Sequence, residues 1–308
     1  MLSRTASCLF WMARYMERAE NLARLLDVSQ QLALMPGADE SVVAMPLDII
    51  DLREQFEATG KPLNAEEVAY FLMLQNDSPS SIMVSLRQAR ENAHVVRGTI
   101  TGELWEAVNA TWLEMKPMTR AKLRSQGFSR FLEWVKERSH LYRGVLVGTS
   151  QRNDAFHFSR LGTYLERADN TARLFRYHLE AFAAPDQTGR PSYYAWAALL
   201  RSLSAFEAYR DSYRDSLSVD HIGELLVLRE DLPRSLHACF AEINDTLAQI
   251  QGEQGREVRR LVAEGYARLR FGSWNEDFAA DPVAVLDQLI IDFAIIGEAV
   301  AQAYWAES

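Results

Sequence analysis

One charged stretch of this chain occurs twice, and both copies have helical spacing. Residues 15–25 read YMERAENLARL and residues 164–174 read YLERADNTARL. At an offset of 149 (166 − 17), eight of eleven positions are identical. Tyr15, Glu17, Arg18, Ala19, Asn21, Ala23, Arg24 and Leu25 match Tyr164, Glu166, Arg167, Ala168, Asn170, Ala172, Arg173 and Leu174. Glu20 against Asp169 keeps its charge. An advance of about 100° per residue puts Met12, Tyr15, Met16, Ala19, Leu22, Ala23 and Leu26 on one arc. Arg14, Glu17, Arg18, Glu20, Asn21 and Arg24 fill the other. In the second copy Leu161, Tyr164, Leu165, Ala168, Ala172 and Phe175 form the apolar arc, and Glu166, Arg167, Asp169, Asn170 and Arg173 form the polar one. Such a pattern fits an amphipathic helix and does not fit a strand.

The same period runs through the rest of the chain, while strand alternation is nearly absent. Helices are expected over about 4–34, 46–58, 64–74, 82–98, 102–115, 129–147, 154–182, 193–213, 220–231, 233–251, 257–271 and from 282 onward. Asn64 with Glu67 reads as a capping box, Thr101 as an N-cap, Pro117 as a stop, and Asp281 with Pro282 as a helix start. The segment AAPDQTGRPS, residues 183–192, concentrates turn formers and reads as a linker. The expected fold is all-α, a bundle of roughly ten helices in one domain over 1–308, divisible into halves 1–150 and 151–308.

Charge and cysteine content remove several function classes. Thirty-three Lys and Arg against 42 Asp and Glu give 33 − 42 = −9, which disfavours a large nucleic-acid footprint. Cys8 and Cys239 make no disulfide framework or metal spacing and suit a reducing, cytoplasmic setting. No apolar stretch precedes Cys8 to make TASC a lipoprotein site. The most apolar segment, around residues 283–305, is interrupted by Asp287, Asp292 and Glu298, so no membrane span is expected. There is no G-x-x-x-x-G-K-[ST] and no G-x-G-x-x-G, and no cofactor is expected.

The repeated polar face admits two readings. Glu20–Arg24 and Asp169–Arg173 are acid-before-base pairs at i, i+4, worth only about 0.2–0.5 kcal/mol on an exposed helix. Solvation alone does not require Glu, Arg, Asn and Arg to recur in register. Nor does it select Arg over Lys, whereas the guanidinium fork holds carboxylate or phosphate bidentately. In a ligand pocket, Arg18, Arg24, Arg167 and Arg173 would hold an anionic group, with Glu17 and Glu166 orienting them, since neighbouring arginines oppose a raised carboxylate pKa. In a structural network, Glu17 would pair with Arg167 or Arg173, and Glu166 with Arg18 or Arg24.

With its two Glu-Arg dipeptides, each followed by A-[ED]-N-x-A-R, the chain resembles the bacterial alpha-E family, an alpha-helical domain with a characteristic Glu-Arg motif. The likeness extends through Arg90, Glu91, Asn92, Arg97, Thr101, Glu103, Trp105 and Asn109, then RNDAFHFSRLGTYLERAD, then Trp196, Arg201, Tyr209, Arg210, Arg229, Pro233, Arg234 and Ser235. It covers essentially the whole chain. The resemblance implies a partner, a circularly permuted ATP-grasp protein, and neighbourhoods that also hold transglutaminase-like peptidases and proteasome-like hydrolases. It therefore implies a peptide or amide-bond-forming system, with this chain as the ligase's helical partner or acting on its substrate or product. Arg14, Glu91, Asn92, Arg97, Tyr209, Arg210 and Arg234 are secondary site candidates.

Two alternatives stand beside the ligand-binding partner. One is a non-catalytic interaction module whose Glu-Arg network is architectural. The other is a ferritin-like di-metal bundle, suggested by two Glu-x-x-His pairs, Glu91 with His94 and Glu137 with His140, plus Glu17 and Glu166. Ser159, and Ser235 with His237 and Cys239, do not assemble a nucleophile by spacing, because residues two apart point away from each other on a helix.

Overall fold

The computed structural model describes residues 3–34, 40–78, 80–182 and 193–305. Among them every regular element is helical, and they divide into two compact units, residues 3–163 and the residues from 164 on. The expected linker over 183–192 lies outside the described residues.

The first unit is built on α1 (Ser3–Ala33), which packs against α5 (Ile82–Val95) and α8 (Phe128–Thr149). Around them lie α2 (Glu40–Ile49), α3 (Arg53–Glu57), α4 (Ala65–Leu74), α6 (Gly102–Met115) and α7 (Arg120–Gln126), and the unit includes the start of α9 (Asp154–Phe182). Side-chain caps set several starts. Asn64 accepts from Glu67 N at 2.9 Å, Ser81 from Val84 N at 3.1 Å and Thr101 from Leu104 N at 3.2 Å. Each satisfies an amide that the first helical turn leaves without a partner. Glu67 turns its carboxylate to Arg120 in a bidentate pair at 2.7 and 2.9 Å.

Three expectations fail in this unit. The helix expected over 46–58 is two helices, because α2 begins at Glu40 with Pro46 in its interior and Asp51 takes a left-handed φ of 57°. The stretch before residue 128 contains α7, ended by Gly127 at φ 87°. The turn after α5 begins at Val96, earlier than expected.

The second unit contains most of α9 and then α10 (Tyr193–Ser202), α11 (Phe206–Tyr213), α12 (Val219–Gly223), a π-helical turn over Glu224–Leu228, α13 (Leu236–Gln249), α14 (Arg256–Phe271), a second π turn over Trp274–Phe278, and α15 (Pro282–Tyr304). Packing of α14 on α13 and α15 organises its later part. Asp281 caps α15 as expected, accepting from Ala284 N at 3.0 Å. The helix expected over 193–213 breaks at Ser204, where φ is 53°. These breaks, together with α7, raise the number of helices among the described residues above the twelve segments expected.

One glycine sets how closely helices meet beside the repeated motif. A Cβ on Gly162, four residues before Glu166, would lie 2.2 Å from the Phe10 carbonyl oxygen and 3.3 Å from Ala13 Cβ. Backbone cannot yield as a side-chain tip can, so α9 approaches α1 this closely only without a side chain. Gly162→Ala is expected to destabilise the protein by about 1–3 kcal/mol, although alanine favours an isolated helix by about 1 kcal/mol. A denaturant midpoint equal to or above wild type would show that the helices separate freely.

Candidate functional site

In the first unit the acids of the polar face of α1 are buried, while Arg14, Arg18 and Arg24 are half-buried. Glu17 and Glu20 are 1% and 0% exposed, and Asn21 is also buried. Carboxylates are rarely placed so deeply without cationic and hydrogen-bonding partners. Cations on α1 itself and on α8 are among their partners. Arg143 Nη1 donates to Glu17 Oε2 at 2.9 Å, to Ser139 Oγ at 3.0 Å and to Glu20 Oε2. Arg24 Nε donates to Glu20 Oε1 at 2.8 Å, and His140 Nε2 lies 3.5 Å from the same oxygen. Further along, Lys136 Nζ donates to Asp27 Oδ2 at 3.1 Å and pairs with Glu133 at 2.6 Å. Burial pulls the Lys136 ammonium down, but its bonds to Glu133 and Asp27 outweigh that and hold its pKa above the ordinary lysine value.

Arg143 and Lys136 were not among the residues singled out from the sequence. The signal lies in matched spacing. Glu20 and Asp27 are seven apart on α1, and Lys136 and Arg143 are seven apart on α8. Asp27 meets Lys136 and Glu20 meets Arg143, so the two helices run antiparallel with acids on one and bases on the other. Two turns of helix return a side chain to nearly the same face, and a seven-residue match therefore keeps both pairs on one seam.

The second copy of the motif repeats part of this geometry within its own unit. Arg173 Nε donates to Asp169 Oδ2 at 2.8 Å, as Arg24 does to Glu20. Arg167 lies over the Tyr164 ring at 5.1 Å, as Arg18 lies over Tyr15 at 5.6 Å. Glu166 is buried, as Glu17 is, at 6% exposure. Arg167 is equally buried and approaches the Pro233 carbonyl at 3.4 Å. Thr171 donates to the Arg234 carbonyl at 2.9 Å. Asn170 is half-buried on the same helix.

The secondary candidates fall in both units. Arg14 lies over Phe10 and Trp11 at 5.6 and 5.1 Å. Glu91 is exposed and paired with Arg90 at 2.9 Å, while Asn92 bonds back to Gln88 O at 2.8 Å. Arg97 is exposed in the turn after α5. The Tyr209 hydroxyl is spent on backbone, donating to Ser216 O at 3.0 Å and accepting from Ser218 N at 3.1 Å. Arg210 is exposed on α11, and Arg234 is buried at the turn before α13. The four residues of the Glu-x-x-His pairs, Glu91, His94, Glu137 and His140, are exposed. Among the described residues no three of His, Cys, Asp and Glu gather as a metal-ligand set, which removes the geometric support for the di-metal reading. No helix among them is long and apolar enough to cross a membrane.

A family model described as a predicted alpha-helical domain with a conserved ER motif matches residues 1–305. No curated protein and no solved structure matches the chain.

Proposed function

The chain belongs to the Alpha-E family, and on that premise we propose that it is the helical partner of an ATP-grasp-type amide-forming enzyme, with its Glu-Arg helices serving as a buried framework. The observation that carries the framework is the placement of Glu17 and Glu20, 1% and 0% exposed and bonded to Arg143. An acid at that depth, held across to another helix, fixes helix register. The ATP-grasp partner and the amide chemistry come from the family resemblance. In this reading the two motif copies are duplicates of one structural device. The matching Arg24–Glu20 and Arg173–Asp169 bonds, both 2.8 Å, support that duplication.

Arg24→Lys separates the framework from a ligand pocket. Lysine keeps the charge and loses the planar fork. The framework reading expects a melting temperature about 2–4 °C lower, as for a loss of roughly 1 kcal/mol. The variant should still co-purify with a circularly permuted ATP-grasp protein from the same genomic neighbourhood and support its ATP turnover. An unchanged melting temperature with turnover abolished would favour the pocket. Failure of the wild-type protein to bind any such ATP-grasp protein would remove the partnership.

A further inference from the structure

Away from the charged seam, the first unit contains a cleft of about 270 Å³ between the turn after α5, the end of α8 and the start of α9. Its apolar floor includes Leu104, Leu146 and Phe156, all buried. Its polar lining is made of hydroxyls and carboxamides and includes no charged side chain. Some of these groups are committed to the fold. Thr101 and Thr149 bond to each other at 2.9 Å, and Thr149 also donates to Val145 O at 2.9 Å. Asn153 Oδ1 accepts from Ala155 N at 3.1 Å and Phe156 N at 3.3 Å, which turns its Nδ2 donors elsewhere. The exposed Gln151 adds a second carboxamide, with one donor group and one acceptor.

The charges around the cleft do not select an ion. Glu103 and Asp154 stand in the first turns of α6 and α9 and oppose the positive ends of those helices. Arg152 is turned onto the Phe156 ring at 4.0 Å and the Val147 carbonyl at 3.0 Å. With no charged side chain in its lining, the cleft offers no ion pair to an anion or a cation. The volume lies just below the roughly 300–1,000 Å³ of sites for drug-sized ligands, so the occupant is small. An amide offers the donor and acceptor that carboxamides match, and a short apolar side chain suits the floor.

We propose that this cleft binds a small uncharged amide, a peptide unit whose N–H and C=O pair with Gln151 and Asn153 and whose short apolar side chain rests on Leu104, Leu146 and Phe156. The site stands on the cleft alone and requires neither the ATP-grasp partner nor the framework reading.

The test titrates N-acetyl-L-valine methylamide into the full chain and follows amide resonances by NMR. Saturable shifts are expected within residues 99–104 and 146–159. N-acetyl-L-valine, which carries a carboxylate, should bind at least about tenfold more weakly. Ala155→Leu fills the floor and should abolish the shifts. Gln151→Ala alters an exposed residue, leaves the core intact and should weaken binding by about tenfold, so the test stands even where Ala155→Leu does not fold. Absence of saturable shifts, shifts confined to other residues, equal binding of the carboxylate, or unchanged affinity in Gln151→Ala would each overturn the proposal.

Discussion

Replacement of Arg143 by leucine is expected to destabilise the protein by about 3–5 kcal/mol, the range for removing one partner from a buried ion pair. The size follows from what stays behind. Glu17 and Glu20 are almost completely buried, and one guanidinium nitrogen bonds to both. Leucine is shorter, ends well before the acids and offers neither charge nor donor. Arg24 still holds Glu20 at 2.8 Å, but the bond from α8 to both acids is lost. A loss of packing alone would look similar, so the double variant Arg143→Leu/Glu20→Gln supplies the control. A neutral amide is far cheaper to bury than a carboxylate, and the double variant should regain a good part of the loss. Arg143→Lys should fall between, since it keeps the charge and loses the fork. Denaturant unfolding measures all three. A single-variant loss below about 1 kcal/mol, or a double variant no better than the single, would mean the seam is not a stabilising network.

The seam also illustrates what could be read from the sequence. Helices α1 and α9 were legible because each carries a long apolar arc opposite a charged one, and Asn64, Thr101 and Asp281 announce their helices by cap chemistry. The charged half of α1 was legible as well, because its residues recur at positions 164–174. The partner on α8 was not. Arg143 sits in a helix with a solvated outer face, and only pairing the seven-residue spacing of Glu20 and Asp27 with that of Lys136 and Arg143 singles it out. Breaks inside helical runs were hidden for another reason. Asp51 and Ser204 take φ near +55°, at 57° and 53°, a conformation more typical of glycine. Aspartate or serine there carries no obvious breaker signal, and tertiary packing overrides the local preference. The π turn over Glu224–Leu228 likewise shares its composition with an ordinary helix.

A second large effect is expected from pH. His178 of α9 is 1% exposed, its Nδ1–H donates to the Leu174 carbonyl at 2.8 Å, and Nε2 is a buried atom with no hydrogen-bond partner among the described residues. Phe182 and Trp196 surround it at ring distances of 5.5 and 6.2 Å. Burial in that aromatic setting lowers the imidazole pKa to about 4, against a smaller upward pull from the Leu174 bond. In the unfolded chain the same group titrates near 6.5. The native state therefore binds fewer protons than the unfolded state between these values. Stability from this group is complete above about pH 6.5, declines as the pH falls and levels off below about pH 4. The gap of about 2.5 units corresponds to roughly 3 kcal/mol at about 1.36 kcal/mol per unit. Carboxylates titrate in the same range, so the quantity to measure is the stability difference between wild type and His178→Leu as a function of pH. Leucine cannot take up the proton, and its packing cost is a constant offset. Between pH 7 and pH 4 wild type should lose roughly 3 kcal/mol more than the variant. Parallel pH profiles would show that the imidazole is hydrated or bonded in the native state and titrates there as it does in the unfolded chain.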